Sequence, residues 1–321
     1  MTGTIYGGYR KLLIIMLVVA AASLIAAPVG AAVSTHGRNM NLGQVDDLKD
    51  TTGSLNWGGY VAATNLLAPA AEVTSVSASW IVQTAAPSST ATYSSQWTGI
   101  GGFFSNDDSL IQLGTESDYY QKTAHYYAWI EMLPSSESSL STTNYQVKAG
   151  DKIVASISPG TGATSGTGSN PWVMKISDVG KWSYITTVNY ASKKLSGEYI
   201  EERPEICSPF SCTLTTLANF GTADYGAFYT SQSGTNDLTV SGVNENLGSA
   251  QYENIIMYAN NGRTEIALPS QLSDGTSFTM TYLSGSTGRS GVPQFGPERY
   301  GYNGNSGTVE GAPGPFDHRM H

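Results

Sequence analysis

The chain is poor in the residues on which much enzyme chemistry relies. Of its 321 residues only two are Cys and four are His. Two cysteines cannot build a zinc ribbon or a disulfide-dense scaffold. The histidines are His36, His125, His318 and His321. Three lie near the termini and no H-E-x-x-H is present, so the zinc-peptidase signature is missing. A Ser-His-Asp triad would have to be built on His125 alone. There is no G-x-S-x-G elbow, no Walker A loop and no Asp-Thr/Ser-Gly triplet. Charged residues make up 13% of the chain, against about 25% in an average domain. Formal charge is −9, with no basic patch, which argues against nucleic acid as a partner. Nothing in these absences calls for a metal or another cofactor.

What the chain does have is an export-like start and a β-rich body. Tyr9, Arg10 and Lys11 precede an apolar run from Leu12 to Ala27, followed by Pro28, Val29, Gly30, Ala31 and Ala32. A basic start, an apolar centre and small residues at the end describe a secretory signal over 1–32. An uncleaved anchor is the alternative, because 12–33 carries no charge and is close to the ~20 residues that span a bilayer. Either way the body is expected outside the cytoplasm, secreted or held at the outer face of the membrane, with membrane contact only if the segment is retained. That setting permits a disulfide between Cys207 and Cys212. Residues 33–54 read as an irregular polar linker or pro-segment, and 285–321 as a Gly/Pro-rich tail.

Between 55 and 284 short runs rich in Val, Ile, Tyr, Trp and Thr alternate with turn clusters. They include Trp57–Ala63, Val73–Val82, Tyr93–Gly101, Leu110–Glu116, His125–Met132, Glu198–Glu202 and Leu214–Phe220. Asn260-Asn261-Gly262 and Ser273-Asp274-Gly275 suit tight hairpins. No long amphipathic helix is visible. About fourteen such strands predict an all-β fold, an antiparallel sandwich of two roughly seven-stranded sheets.

Alternate residues of a strand share a face. Glu198, Ile200 and Glu202 fall on one side, and Tyr199, Glu201 and Arg203 on the other. Gln112 interrupts an apolar run and must be hydrogen-bonded if buried, since an unpaired amide costs ~1–3 kcal/mol. Tyr127, Trp129 and Glu131 share a face that could wall a groove or simply pack. A solvated strand end and a structural glutamine remain open for the Glu cluster and Gln112.

Six blocks appear in order: Asn56-Trp57-Gly58-Gly59-Tyr60, Gln96-Trp97-Thr98-Gly99-Ile100-Gly101-Gly102, Leu110-Ile111-Gln112-Leu113-Gly114, Tyr126–Pro134, Gly197–Pro204 and Ala218-Asn219-Phe220-Gly221. The series resembles the glutamic peptidases, the eqolisin family of acid endopeptidases. The resemblance runs from about Asn56 to Tyr282 and implies a lectin-like sandwich with a cleft on its concave face. It also implies a catalytic pair of one glutamine, Gln112, and one glutamate, Glu202, which ends the Glu-aromatic-Ile-x-Glu string Glu198–Glu202. Trp97 matches a tryptophan of the family's active site. Trp57, Tyr127, Trp129 and Glu131 are expected to bind substrate beside it. Such a pair would activate water directly, with neither metal nor covalent intermediate. A carboxylate of ordinary pKa, near ~4.3, works as a base in acid.

The chain departs from the family pattern in several places. The usual Gly-Ile-Asp-Gly is Gly99-Ile100-Gly101-Gly102 here, which removes an acidic group. Tyr127 and Asn219 stand where Asp is common. Residues 34–54 are not notably basic, unlike the family's propeptide, and the two Cys do not match its usual disulfides. Two rivals share the architecture: a lectin-like glycoside hydrolase using Glu131 with Glu202 or Glu198, and a non-catalytic carbohydrate-binding sandwich. The leading expectation is a peptidase acting on polypeptides, and nothing visible specifies more than a monomer.

Overall fold

The computed structural model describes residues 33–45, 50–208, 211–233 and 236–285. The expected signal over 1–32 and the expected tail beyond 285 lie outside the described residues. Among those described, helix is confined to Ala227–Thr230 and a 3₁₀ turn at Leu247–Ser249. The rest is strand and connection, as the β-branched and aromatic runs predict.

Two antiparallel layers follow from the pairings. In the first, Ser138–Ser139, Thr123–Met132, Leu110–Tyr120, Ser95–Gly101, Gly197–Glu202, Trp57–Ala63 and Gln251–Tyr258 lie side by side. In the second, Trp182–Ala191, Ser169–Asp178, Lys152–Pro159 and Val73–Ile81 run in order. Val73–Ile81 then pairs with Asp237–Val240 and with Thr222–Tyr225. Phe278–Tyr282 and Glu265–Pro269 close the layer and join it to Gln251–Tyr258. At Asp274 and Gly275, φ values of +51° and +78° turn the chain between these last two strands. Both are left-handed, which a tight hairpin of this sequence supplies.

Burial explains the two kinds of strand. Trp182–Ala191 alternates half-buried and exposed at every position, as an outer strand should. Trp57–Ala63, Ser95–Gly101 and Gly197–Glu202 are buried at every position. Each of these central strands is covered on both faces. One face packs into the core between the layers, where Tyr60, Ile100, Leu113, Ile130 and Tyr199 meet Trp80, Ile153, Ile157, Met174 and Tyr225. The other face carries a second buried cluster of Trp57, Trp97, Trp129 and Ile200, with Phe103, Phe104 and Leu110. Burying each such large side chain contributes roughly 1.5–3 kcal/mol.

The reading of 33–54 as irregular is corrected. Val33–Thr35, Asn41–Gln44 and Thr51–Ser54 are strands. Thr51–Ser54 runs parallel to Asn254–Met257, so the main sheet begins before Leu55. Val33–Thr35 adds antiparallel to Glu205–Ser208, which pairs in turn with Ser211–Leu214. Short polar strands have no apolar alternation to betray them; these are held by ladder bonds on existing edges. The Cys207–Cys212 disulfide is formed, between residues directly opposite in this small sheet.

Candidate active site

Five neighbouring strands set the site by register alone. Trp57, Glu202, Ser95, Glu116 and Tyr127 form one cross-strand row. Gly59, Ile200, Trp97, Gly114 and Trp129 form the next. Val61, Glu198, Gly99, Gln112 and Glu131 form the third. Residues directly opposite share a face, so every residue expected in the site lies on one face of the first layer. A Cβ at Gly114 would stand 2.6 Å from Trp97 Cβ and 2.8 Å from Trp129 Cζ2. Only glycine lets the two indoles lie this close to the strand.

The opposite faces of Gly197–Glu202 divide as strand parity predicts. Ile200 belongs to the site-side cluster and Tyr199 to the inter-layer core. Glu202 Oε2 accepts from Trp97 Nε1 at 2.8 Å and Oε1 from Asn56 Nδ2 at 3.2 Å. Glu201, one residue away, accepts instead from Gln83 Nε2 at 2.7 Å and from the Tyr225 hydroxyl at 3.1 Å, inside the core.

The floor is covered by a residue that sequence reasoning missed. His36 is fully buried and stacks on Trp129, with ring centroids 3.8 Å apart and planes 8° from parallel. Its Nδ1 lies 3.2 Å from Glu202 Oε2. Its Nε2 lies 2.9 Å from Glu116 Oε1 and 3.3 Å from Glu137 Oε2. Its backbone N–H donates to Glu131 Oε2 at 3.0 Å. Its carbonyl accepts from Gln112 Nε2 at 3.0 Å, and the same amide donates to Glu131 Oε2 at 2.9 Å. Gln112 and Glu202 therefore converge on one residue, the first through its carbonyl and the second through its ring. Trp57 Nε1 donates to the next carbonyl, Gly37 O, at 3.0 Å. Tyr127 stands beside Glu116 in the register.

Electrostatics follow from the dryness of this floor. Burial raises the Glu202 carboxyl above its ordinary pKa, although His36 and Trp97 pull the other way. Burial pushes Glu131 up to about 8, against the attraction of His36. Glu137 is raised by burial as well. Burial opposes charge on His36, but Glu116, with hydrogen bonds to Glu116, Glu137 and Glu202, outweighs it and holds the imidazole well above its usual value. The expectation of a base with an ordinary carboxylate pKa is thereby revised upward for this closed arrangement.

Two further points concern acidic groups. Where Gly101 removes the family's Asp, Asp107 fills the space: its Oδ2 lies 3.1 Å from the place a Gly101 Cβ would occupy. Asp107 Oδ1 accepts from the Ser109 N–H and hydroxyl at 3.0 and 2.6 Å. His36, Glu116 and Glu137 offer donor atoms within 4.8 Å of one another, a set that could hold a metal ion. Here the imidazole already bridges the two carboxylates. Glu116 was legible as a further residue on the Gln112 face; nothing in the sequence tied His36 or Glu137 to it.

A two-layer sandwich bearing a buried Gln/Glu/Trp floor defines a class, the glutamic peptidases. Residues 55–282 match the model of the Peptidase A4 family, and the chain belongs to that family. It is accordingly a glutamic endopeptidase, which decides against the glycosidase and carbohydrate-binding readings. Among solved structures it is similar to scytalido-glutamic peptidase with a transition state analog inhibitor, at 19% identity and TM-score 0.55, over 71% of this chain and 98% of that one. It is also similar to SCP-B, an eqolisin family member in complex with the tripeptide Ala-Ile-His, at 19% identity and TM-score 0.52 over the same shares. A search of curated protein sequences returned no match.

Proposed function

We propose that this chain is a secreted acid endopeptidase in which Glu202 activates a water and Gln112 stabilises the oxyanion. The observation that carries the reading is the hold of both side chains on one residue: Gln112 Nε2 on the His36 carbonyl and Glu202 on its ring. With a substrate in place, Glu202 as carboxylate takes a proton from water as the oxygen attacks the peptide carbonyl. Gln112 Nε2 donates to the carbonyl oxygen as it gains negative charge, an interaction worth about 10²–10³ in rate. The carboxylic acid of Glu202 then gives its proton to the leaving nitrogen, the C–N bond breaks, and the carboxylate is regenerated. Trp97 and Asn56 each donate to Glu202 and hold it in position. Trp57, Tyr127, Trp129 and Glu131 line the substrate's path.

The basic start and apolar run before residue 33 support export. The test is hydrolysis of denatured protein between about pH 2 and pH 5 by wild type, Gln112→Ala and Glu202→Gln, each first checked for folding. Loss of at least about 10²-fold in both variants supports the pair. Retained activity in either removes that residue from it.

A further inference from the structure

The segment that closes this cleft is part of the chain itself, and its side-chain contacts are specific. The socket that receives His36 has a flat floor and acidic ends. Trp129 provides the floor, in parallel contact at 3.8 Å. Glu202 stands at the Nδ1 edge of the ring, and Glu116 and Glu137 at the Nε2 edge. Each of these acids comes from a different part of the sheet: Glu202 from Gly197–Glu202, Glu116 from Leu110–Tyr120, and Glu137 from the turn after Thr123–Met132. Glu131 faces the same residue from its backbone side, Tyr127 and Asp118 flank Glu116 along the strands, and Arg38 points away to the Asp107 carbonyl at 2.9 Å.

Geometry then selects the side chain. A protonated imidazole is planar, carries a charge and offers one N–H on each edge. Phenylalanine matches the floor but offers no donor at either edge, so Glu116, Glu137 and Glu202 each lose the imidazole and keep at most the donors of the sheet, Ser139 for Glu137 and Trp97 and Asn56 for Glu202. Lysine has charge but no flat face, and its three N–H donors all sit on one nitrogen, which cannot serve both edges of the socket. Carboxyl groups stand at both edges of the ring, so the socket offers acceptors where a planar two-edged donor places its N–H groups.

The main chain around His36 is held as an extended peptide would be. Val33–Thr35 adds as a strand to the edge of Glu205–Ser208. Beyond His36, Gly37 O accepts from Trp57 Nε1, Arg38 O from Asn56 Nδ2 at 3.1 Å, and the Asn39 N–H donates to Gly102 O at 3.1 Å. These bonds read backbone, not sequence. An open pocket of about 440 Å³ continues past Gly37–Asn41 between Phe103, Phe104 and Glu205.

Building on the glutamic peptidase reading, we propose that Trp129, Glu116, Glu137 and Glu202 form a subsite selective for a histidine side chain, and that His36 fills it in cis, as a substrate-like plug that keeps the intact chain closed. The plug occupies the catalytic glutamate with its ring and the catalytic amide with its carbonyl, so no substrate carbonyl can reach Gln112 until the segment leaves.

The test uses the full chain and a synthetic peptide, Ser-Thr-His-Gly-Arg-Asn, which copies residues 34–39. His36→Ala, checked by its melting temperature, should turn over a reporter peptide at about pH 4 without the lag of wild type and at least about tenfold faster at first. Added to His36→Ala, the peptide should bind by calorimetry and compete with substrate. Its His→Ala, His→Lys and His→Phe versions should each bind at least about tenfold more weakly, a difference of ~1.4 kcal/mol. Equal binding of the His and Ala peptides overturns the subsite, and so does tighter binding of the Lys or Phe version. A His36→Ala chain no faster than wild type overturns the plug. If His36→Ala does not fold, the same peptides are compared as competitors of the wild-type enzyme after its lag. Should no form hydrolyse peptides while the calorimetric preference for His stands, the subsite survives and the peptidase mechanism falls, which separates the two failures.

Discussion

Glu201 and Glu202 are consecutive, both buried, and both raised in pKa by burial, yet they sit in two different environments. Glu201 points into the core between the layers, where Gln83 and the Tyr225 hydroxyl satisfy it. Its partners are fixed parts of the sandwich. Glu202 points to the other face, where Trp97 and Asn56 hold it and its third partner is His36, from a peripheral segment. On the proposed mechanism, the difference between the structural carboxyl and the reactive one is the replaceability of one neighbour. The chemistry of the two side chains is the same; the strand's two-residue period alone sends them to different roles.

Exchanging those roles should fail, and the largest effect is expected there. Glu202→Gln should lose about 10³-fold or more in kcat while its melting temperature stays within a few degrees of wild type. Glu201→Ala should do the reverse. It removes an acceptor that Gln83 and Tyr225 share, leaving them only Ser94 Oγ and the Ile200 carbonyl, and opens a cavity in the core, costing ~2–3 kcal/mol and lowering Tm by roughly 5–10 °C, with the activity of the folded protein within a few-fold of wild type. Calorimetric melts alongside steady-state kinetics separate the two patterns, and a Glu201→Ala enzyme that folds normally but does not turn over would erase the distinction.

The pH dependence of stability sharpens the same comparison at intermediate size. Burial raises Glu131 and Glu253 to about 8, and raises Glu198 and Glu201 well above the ordinary carboxyl value. A carboxyl whose pKa is higher folded than unfolded stabilises the fold fully below the unfolded value, near ~4.5, and loses that contribution as pH climbs through the folded one. Asp108 and Asp274 are lowered and act in the opposite sense, but both are largely exposed to solvent screening. Melting temperature should therefore be highest near pH ~4 and fall by roughly 5–10 °C toward pH ~8. Glu253→Gln, one strand beyond Val61 at the edge of the site-face row and bonded to Gln44, should flatten part of that slope. A Tm that rises between these pH values would contradict the account.

The smallest effect is expected at the Cys207–Cys212 bridge. Replacing both by Ser should cost about 2 kcal/mol of local stability and loosen the Glu205–Ser208 edge on which Val33–Thr35 lies. Limited proteolysis should then cut this small sheet faster, with kcat of the opened enzyme unchanged.

The resemblance picked out Gln112 and Glu202, and parity, a short-range rule, supported the choice of face. Alternation along Glu198–Glu202 separates Glu202 from Glu201, and a glutamine inside Leu110–Leu113 announces a buried amide needing a partner. The two cysteines, five residues apart in a chain with an export-like start, pair as their spacing suggested. What the sequence hid depends on contacts between distant segments. His36 lies 76 residues before Gln112 and 166 before Glu202, in a polar stretch with no periodicity. Leu214–Phe220 shows the converse failure. Its apolar residues read as a strand, yet beyond Leu214 only Leu217 bridges, to Tyr93, while Leu217 and Phe220 fill the core as irregular chain. Hydrophobic pattern reports burial there, and ladder pairing, which pattern does not encode, is absent.

The proposed joint action of Gln112 and Glu202 on one peptide bond is tested most directly by a crystal structure of the His36→Ala enzyme with a peptide carrying a tetrahedral hydroxyl in place of the cleaved carbonyl. The account predicts that hydroxyl within about 3.2 Å of both the Gln112 amide and the Glu202 carboxyl. A hydroxyl bound by other residues, with either side chain turned away from it, would contradict it.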